Sequence, residues 1–562
     1  MIKAIKFCLV LIFICKTQFS LAQISPPPSS DSLRTINIIY SRVYREKAID
    51  SVTKLEILAG GVSLIESGTK FTCDSAVINK RLNSFEAFGN VHINQGDSVF
   101  TSSQYLKYLG STRVAYLKKN VKLTDRKATL FTQDLEYDLS TGTGKYHKGG
   151  KVVNGKTTLT STEGIYHEDT KDVYFINKVN VVDAKNTIKA DSLLYNMQTQ
   201  KLNFIGPTHI KNKDGNIFTT QGTYDLNTGN AFFTNRTLIK DSSGRTYQAN
   251  NMALDDKTGE AQLAGNAIIK DSANKFIVTG NEIFISKKNN SFLATKKPVM
   301  IYWEKKDTTY ISGDTLFSGF TKRVYAEDII PVNDSIKAKI AIKDYVAKTI
   351  VKKDSSKLQI IRKPKNISAN KADTLIRYFI AYHHVKIFND SLQSVSDSLF
   401  YSGADSVIRL FYDPVIWSGN SQLNGDTMYL FTKNKKPERV FVFDNGMMIN
   451  KINPDVYNQI GGKTINTYFK NGVIDFLRVK GSPAESIYYL QDKDSAFTGM
   501  NRADGSVIDM FFVKQQFDKV KFLNDVHGIL YPMRKIPPDK KYLKNFDWKD
   551  KRRPKNKLEL FE

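Results

Sequence analysis

The residue types that could do chemistry are thinly spread along this chain. His383 and His384 are adjacent, and adjacent side chains of a strand point to opposite faces, so the pair is poorly placed to share a metal ion. The stretch "TGTGK" from Thr141 to Lys145 lacks the spacing and the following helix of a phosphate-binding loop and fits a hairpin turn. "DKDS", which begins at Asp492, lacks the glycine and the terminal glutamate of a calcium loop.

Carboxylates and cysteines add no catalytic pattern. The chain has 56 Asp and Glu residues, but no spacing pairs two of them as acid and base. After removal of a leader peptide, Cys73 is the remaining cysteine, which excludes an intramolecular disulfide or a cysteine metal site. Cys73 is expected to be a small buried strand residue. We therefore expect no enzyme, no metal site and no cofactor.

The first residues, "MIKAIKFCLVLIFICKTQFSLAQ", have the pattern of a secretory signal peptide. Lys3 and Lys6 precede a short apolar run, and Ser20 and Ala22 fit the small-residue rule for cleavage, which would leave Gln23 as the first mature residue. The apolar run is too short for a membrane-spanning helix. The mature protein is therefore expected outside the cytoplasm.

The charge balance is strongly basic, with 82 Lys and Arg against 56 Asp and Glu and a formal net charge of +26. Nucleic acid is not an expected partner for an exported protein. Anionic lipid head groups and phosphorylated glycolipids fit this charge better. A solvated basic surface without a partner is the alternative.

A repeat organises most of the chain. Five tyrosines, each 29 residues after the last, mark the same position: Tyr108, Tyr137, Tyr166, Tyr195 and Tyr224. The same position is occupied by an apolar residue before and after this run, at spacings of 29 to 31 residues within each part of the chain: Ile78, Leu254, Ile285, Tyr401 and Leu430. Repeats at a fixed period indicate one structural unit stacked on its neighbours.

Each repeat has the pattern of a β-hairpin. Apolar residues alternate along both arms, as Leu193 and Tyr195 do on one arm and Leu202 and Phe204 on the other. Alternation of this kind predicts strands with one buried face. A polar turn separates the arms, which predicts that Tyr195 faces Leu202 and that Leu193 faces Phe204.

A second pattern predicts that every hairpin bends across its middle. Asp191 falls opposite Gly206, and the apolar phase slips by one at Ile188, as a β-bulge would require. Small residues occupy the site before the bend: Cys73, Ser103, Thr132, Ser161, Ala190, Thr219, Ala249 and Gly280. Polar residues at the bend could form a hydrogen-bonded ladder: Asp74, Gln104, Gln133, Asp191, Asn250, Asp397 and Asp426.

Stacked bent hairpins would form two sheets that meet at a crease, with apolar residues on the inner walls. These inner residues are the candidates for the wall of a lipid groove, and packing of a closed core is the alternative role. The candidates are Ile78, Leu106, Tyr108, Tyr137, Tyr166, Phe175, Leu193, Tyr195, Leu202, Phe204, Tyr224 and Phe233.

The organisation along the chain follows from the repeat. A signal peptide (1–22) and a flexible linker (23–35) precede a first β-repeat domain at 36–318. A Lys-rich insertion at 319–375 lacks the repeat, and a second β-repeat domain follows at 376–533. The basic, proline-containing end at 534–562 is expected to be a mostly disordered tail.

These residues resemble the OstA-like (organic solvent tolerance) family, which includes the LptA-type periplasmic lipopolysaccharide-transport proteins. The resemblance rests on "LEILAGGVSLIESGTKFTCDSAVINKRLNSFEAFGNVHINQGD", on "DSLFY" with "DPVIW", and on "FLNDVHGILYPM". It implies an all-β fold, an elongated antiparallel β-taco, similar to a β-jelly roll, of stacked bent hairpins of about 29 residues. The chain is longer than a single-domain periplasmic bridge and lacks the long C-terminal barrel of the outer-membrane member.

The resemblance also implies a function. The protein would lie in the periplasm, near the outer membrane, and hold the acyl chains of lipopolysaccharide or lipid A in its apolar groove during transport and outer-membrane assembly. Other Lpt-type β-jelly-roll proteins would be its partners through edge-strand pairing. Three alternatives stay open: a structural β-scaffold without lipid, an outer-membrane β-barrel, and a solenoid enzyme acting on polysaccharide.

Overall fold

The computed structural model describes residues 35–561 apart from 97–98, 126, 305–306, 323–374, 434–435, 471–472, 495 and 514–515. The signal peptide and nearly all of the linker and the insertion lie outside the described residues. Strands dominate the described part, and they fall into two compact units. The first holds residues up to Gly150 together with Ile165–Asp169, and the second holds Lys151–Gly164 and the residues from Thr170 onward.

The first unit is built from antiparallel strands. They are β1 (Asn37–Tyr40), β2 (Val43–Ala48), β3 (Lys54–Glu66), β4 (Thr69–Asn79), β5 (Ser84–Gln95), β6 (Val99–Leu109), β7 (Val114–Asp125), β8 (Ala128–Asp138), β9 (Thr143–Tyr146) and most of β12 (Glu163–His167). "TGTGK" lies in the turn before β9 and in that strand, as predicted.

The second unit follows the same plan. Its earlier strands are β10 (Gly150–Asn154), β11 (Thr157–Ser161), β13 (Asp172–Val182), β14 (Thr187–Asn196), β15 (Lys201–Asn212), β16 (Gly215–Asp225), β17 (Ala231–Thr234), β18 (Thr237–Asp241), β19 (Thr246–Ala249), β20 (Asn251–Asp255), β21 (Glu260–Asp271), β22 (Phe276–Ser286), β23 (Ser291–Thr295), β24 (Val299–Glu304), β25 (Asp307–Ser312) and β26 (Thr315–Lys322).

Its later strands are β27 (Leu375–Asn389), β28 (Leu392–Ser402), β29 (Val407–Phe411), β30 (Val415–Ser418), β31 (Ser421–Asn424), β32 (Thr427–Lys433), β33 (Lys436–Asn453), β34 (Val456–Lys470), β35 (Val473–Gln491), β36 (Phe497–Val513), β37 (Gln516–Leu523) and β38 (His527–Pro532). Short 3-10 helices follow at Met533–Lys535, Pro538–Lys540, Asp550–Arg552 and Lys557–Leu560.

The bend in each hairpin is a register shift, as the sequence predicts. Between β14 and β15, Tyr195 pairs with Leu202 and Leu193 with Phe204, and the register then shifts before the next pair is formed. Gly206 sits at the shift with a φ of 101°, a conformation that only glycine adopts without strain. The same shift recurs in hairpins of both units. The predicted class, an antiparallel β-taco of stacked bent hairpins, is confirmed.

Polar side chains bridge neighbouring strands at some of the predicted crease positions, through partners that the sequence did not indicate. The Asn90 amide donates to Asp74 at 3.0 Å, and the Asn445 amide donates to Asp426 at 3.0 Å. At the equivalent place in β27, His383 Nδ1 lies 3.0 Å from Asp397. The two adjacent histidines are therefore crease residues with positive φ, not opposite faces of a regular strand. Cys73 is buried beside the crease, as expected.

Two predicted boundaries need adjustment. The strand β26 continues to Lys322 and β27 begins at Leu375, so the ends of the predicted insertion at 319–375 are strand residues. The tail is not disordered: residues 533–561 run across the outer face of the sheet in the second unit. This part of the prediction is wrong because proline and basic residues were taken to exclude packing.

Two glutamines hold the tail in the same way. Gln459 Nε2 donates to the Lys541 carbonyl at 2.9 Å, and its Oε1 accepts from the Leu543 amide at 2.8 Å. Gln422 Nε2 donates to the Asp547 carbonyl at 2.7 Å, and its Oε1 accepts from the Lys549 amide at 2.7 Å. Each amide side chain thus binds a carbonyl and the N–H two residues later, as a neighbouring strand would.

An apolar strip beneath the tail explains why it docks there. Leu543 is buried in a cluster with Met447, Ile449, Ile487 and Met500. In β33, Met447 and Ile449 alternate with the inward-facing residues, so they lie on the outer face. Covering this outer strip removes apolar surface from water, which stabilises the docked tail.

Replacing Gln459 with leucine should loosen the tail. The Lys541 carbonyl and the buried Leu543 amide would each lose a partner, which costs about 1–3 kcal/mol. Trypsin should then cleave the tail of the variant about tenfold faster or more than that of the wild-type chain. The assay requires that the tail undocks and redocks faster than trypsin cleaves it. Gln262, exposed on β21, gives a matched control, and equal cleavage of the Gln459→Leu and Gln262→Leu variants would contradict the clamp.

Candidate functional site

The predicted groove residues all lie inside the folded hairpins. Each is buried, and Tyr224 is the most exposed of them at 7%. They point inward, as the alternation predicts, and all lie on one of the two inner walls, on the same side of the crease. We call the half-strands that carry the repeat tyrosines the tyrosine wall, and the half-strands on the other side of the crease the facing wall.

Aromatic rings fill the space between the walls. In the first unit, Phe71 of the facing wall packs against Phe85 and Tyr108 of the tyrosine wall, with ring centroids 5.1 and 4.9 Å apart. In the second unit, Phe204 and Phe233 stack with centroids 6.3 Å apart. The interior at the candidate positions is a closed, packed core in this structure. Their role in binding lipid stays a prediction.

Away from the crease, tyrosine hydroxyls cross from one wall to the other. Tyr108 donates a hydrogen bond to Glu66 Oε2 at 2.9 Å. Glu66 ends β3 on the facing wall and is 1% exposed, and Arg113 Nε lies 3.7 Å from the same oxygen. A buried carboxylate requires such partners because it has left water. We call this edge of the folded sheet the rim, and a tyrosine with its partner a tie.

Two more hydroxyls bind carboxylates at the rim of the first unit. Tyr166 donates to Asp125 at 3.2 Å, which joins the tyrosine wall to the end of β7 on the facing wall. Tyr137 donates to Glu168 at 2.8 Å, which joins successive repeats along the tyrosine wall. Charge-assisted hydrogen bonds of this kind are stronger than neutral ones.

In the second unit the ties use asparagine. Asn154, at the end of β10 on the facing wall, donates to the Tyr195 hydroxyl at 2.9 Å and to the Met197 carbonyl at 3.0 Å. In the corresponding place, Asn186 acts on Tyr224: burial raises the pKa of the Tyr224 hydroxyl, and Asn186 lowers it by less. Neutral partners hold the walls here without a buried charge.

The tie hydroxyls are protonated at neutral pH. Burial raises the pKa of Tyr195 to about 12. Burial, together with the neighbouring carboxylates, raises the pKa of Tyr108, Tyr137 and Tyr166 still further above the ordinary value of about 10. Each hydroxyl therefore keeps the proton that it donates in its tie.

The repeat position loses its hydroxyl further along the second unit. Leu254 and Ile285 occupy it there, and both are half-buried where the tyrosines are buried. A leucine or an isoleucine has no hydroxyl to donate across the rim. The walls at these two repeats are therefore held without a tie from that position.

Within the described residues, no group of three or more His, Cys, Asp or Glu side chains is arranged to hold a metal ion. No helix in that part of the chain has the length and apolar character that a membrane crossing requires.

A comparison with protein families matches residues 43–191 to the OstA-like proteins. Residues 43–191 are therefore similar to the OstA-like proteins, and we call them the OstA-like segment. The match confirms the predicted resemblance within this segment, which includes Tyr108, Tyr137 and Tyr166 with their partners Glu66, Glu168 and Asp125. No curated protein matches the chain.

Sequence reasoning missed the partners of the tyrosines. In the OstA-like segment, Glu66 lies two residues after the inward-facing Leu64, and Asp125 lies two residues after the inward-facing Leu123. Both acidic residues therefore occupy inward positions of their strands. A polar residue at the last inward position of a strand was the available signal. The partners belong to strands 31 to 42 residues away in sequence, so the pairing itself required the stacked fold.

Proposed function

We propose that this protein is a non-enzymatic, lipid-binding component of lipopolysaccharide transport and outer-membrane assembly in the periplasm. It would hold acyl chains between the tyrosine wall and the facing wall, and pass them on or keep them near the outer membrane. The OstA-like segment supports the class of function. The apolar inner walls support lipid as the ligand.

The observation that carries the proposal is the asymmetry between crease and rim. At the crease the walls are joined by the backbone of every bent strand. At the rim they are joined by separate side-chain ties such as Tyr108 with Glu66 and Tyr195 with Asn154. The rim can therefore part without loss of strand pairing. At the repeats of Leu254 and Ile285 the rim has no tyrosine tie and is crossed by the exposed ion pairs Lys185–Asp256 and Lys287–Asp214, which contribute little. These repeats are the place where we expect parting to begin.

The first strands support the proposed pairing with another Lpt-type β-protein. The strand β2 pairs with β3 and is exposed along its whole length, Val43–Ala48. An exposed strand edge is a template for a further strand.

A structural scaffold is the second candidate function. It is favoured by the filled interior, because Leu193, Tyr195 and Phe204 are at most 2% exposed. A scaffold needs no space between the walls, whereas a carrier needs the walls to part. The two candidates therefore differ in whether lipid ever reaches these side chains.

A photo-crosslinking amino acid at Phe204 should form an adduct with lipopolysaccharide in living cells. The matched control is Leu194, which is on the outer face beside Leu193 in the neighbouring strand. Adducts are expected at Phe204 and not at Leu194, as detected by a mobility shift and an antibody against lipopolysaccharide. Absence of any adduct at Phe204, with the variant folded and exported, would favour the scaffold.

A further inference from the structure

A cavity of about 430 Å³ lies where the tail crosses the crease of the second unit. Basic side chains line it from both sides: His384 and Lys386 from β27, and Lys551, Arg552 and Arg553 from the tail. The carboxylates that line it are Asp397 and Glu559. A cavity of this size is in the range that small ligands occupy.

The lining carboxylates have their own partners. Asp397 accepts from Ser398 Oγ at 2.7 Å and faces His383 Nδ1 at 3.0 Å. Glu559 accepts from the Lys555 amide at 3.2 Å and from Asn556. Arg552 is balanced by Asp413, at 2.5 Å. With Arg552 paired to Asp413, the remaining cations Lys386, Lys551 and Arg553 outnumber the lining carboxylates Asp397 and Glu559, so the cavity has an excess of positive charge.

Three of these cations, Lys386, Lys551 and Arg553, form no ion pair with a described carboxylate. The Arg553 guanidinium donates to neutral oxygens, Gln393 Oε1 at 2.9 and 2.5 Å and the Gly419 carbonyl at 2.9 Å. Lys386 Nζ donates to the Glu559 backbone carbonyl at 3.3 Å. Within the described part of the chain, neither of them nor Lys551 forms an ion pair. Arg553 is therefore a charged group that is fixed in place by uncharged acceptors.

We propose that this cavity binds a phosphate group, either free or as the head group of a lipid. A guanidinium fixed by neutral acceptors and two flexible ammonium groups provide positive charge and donors for phosphate oxygens. Lys386 alternates with the inward-facing Val385 and Ile387, so its side chain reaches the cavity on the outer face of the sheet and not in the space between the inner walls. The inference thus stands whether or not the walls bind acyl chains.

The test uses the full mature chain and calorimetric titration with inorganic phosphate at low ionic strength. Saturable binding is expected, and Lys551→Gln should weaken it about tenfold, because the phosphate loses a hydrogen bond from a charged donor. Lys544→Gln makes the same charge change at an exposed tail residue outside the cavity and should leave the affinity unchanged. Lys386→Gln should also weaken phosphate binding. Tryptic mapping should show that the tail of this variant is still docked.

Vesicles distinguish the sources of the phosphate. Vesicles of phosphatidylcholine with phosphatidic acid, compared with phosphatidylcholine alone, test a lipid-linked phosphate monoester. Binding to these vesicles that depends on Lys551 assigns a lipid head group, and Lys551-dependent binding of inorganic phosphate alone assigns a free ligand. The proposal is overturned if neither probe binds saturably, or if Lys551→Gln and Lys544→Gln weaken binding equally.

Discussion

Replacing Phe204 with alanine should lower the free energy of local unfolding in β14, β15 and β16 by about 3–5 kcal/mol. The ring is 2% exposed and packs against Phe233 between the walls. Truncation removes this apolar burial and leaves a cavity that the surrounding strands fill only in part. Native-state hydrogen exchange of the amides in these strands measures the change, because neighbouring repeats open as cooperative units.

The next residue gives the control for this prediction. Ile205 is 43% exposed on the outer face of the same strand, so Ile205→Ala should change the opening free energy by less than about 0.5 kcal/mol. Equal small losses at Phe204 and Ile205 would mean that the interior is loosely filled. That outcome would contradict the packed core and would strengthen the case for a permanently open groove.

The repeated part of the fold could be predicted from sequence because the residues that determine the geometry of each hairpin lie within that hairpin. The alternation around Leu193 and Tyr195 determines which side chains point inward, and the small or glycine residues at Ala190 and Gly206 determine where the strand bends. Both signals lie within one hairpin. The same two signals recur in successive repeats, so a wrong prediction from one hairpin is corrected by comparison with the others.

The ties and the docked tail could not be predicted in this way because their partners are distant. Tyr108 meets Glu66 only after the two hairpins formed by β3 to β6 have stacked. Gln422 is 127 residues from the Lys549 amide that it accepts from, and an outward glutamine on a strand is ordinary in sequence. The composition of the tail resembles that of a disordered segment, whereas its burial of Leu543 depends on an apolar strip on the outer face.

The filled interior and the lipid proposal are compatible if closure is reversible. The inner walls gain stability from packing, and opening them to admit acyl chains exchanges one apolar contact for another. The ties differ from the apolar contacts in this respect. When a tie opens, its carboxylate or amide loses a hydrogen bond that an acyl chain cannot replace. The energy of the ties therefore determines how readily the rim parts.

Replacing Tyr108 with phenylalanine should destabilise the first unit by about 2–3 kcal/mol at neutral pH, because Glu66 then loses a hydrogen bond in a buried site. Urea unfolding followed by circular dichroism measures this change. Tyr105 gives a matched control on the same strand: it also donates to a glutamate, Glu86, at 2.9 Å, but from the outer face. Tyr105→Phe should cost less than about 1 kcal/mol.

The dependence on pH separates the tie from simple packing. Burial and then Glu66 raise the pKa of Tyr108 in the folded protein, whereas an unfolded tyrosine titrates near pH 10. A group whose pKa is raised on folding stabilises the protein fully below the unfolded value, and this contribution is lost as the pH rises above it. The stability difference between the wild-type chain and Tyr108→Phe should therefore be constant up to about pH 9 and should narrow above pH 10. A difference that stays constant through this range would mean that the hydroxyl contributes through packing alone, and the rim would then have no ties to break.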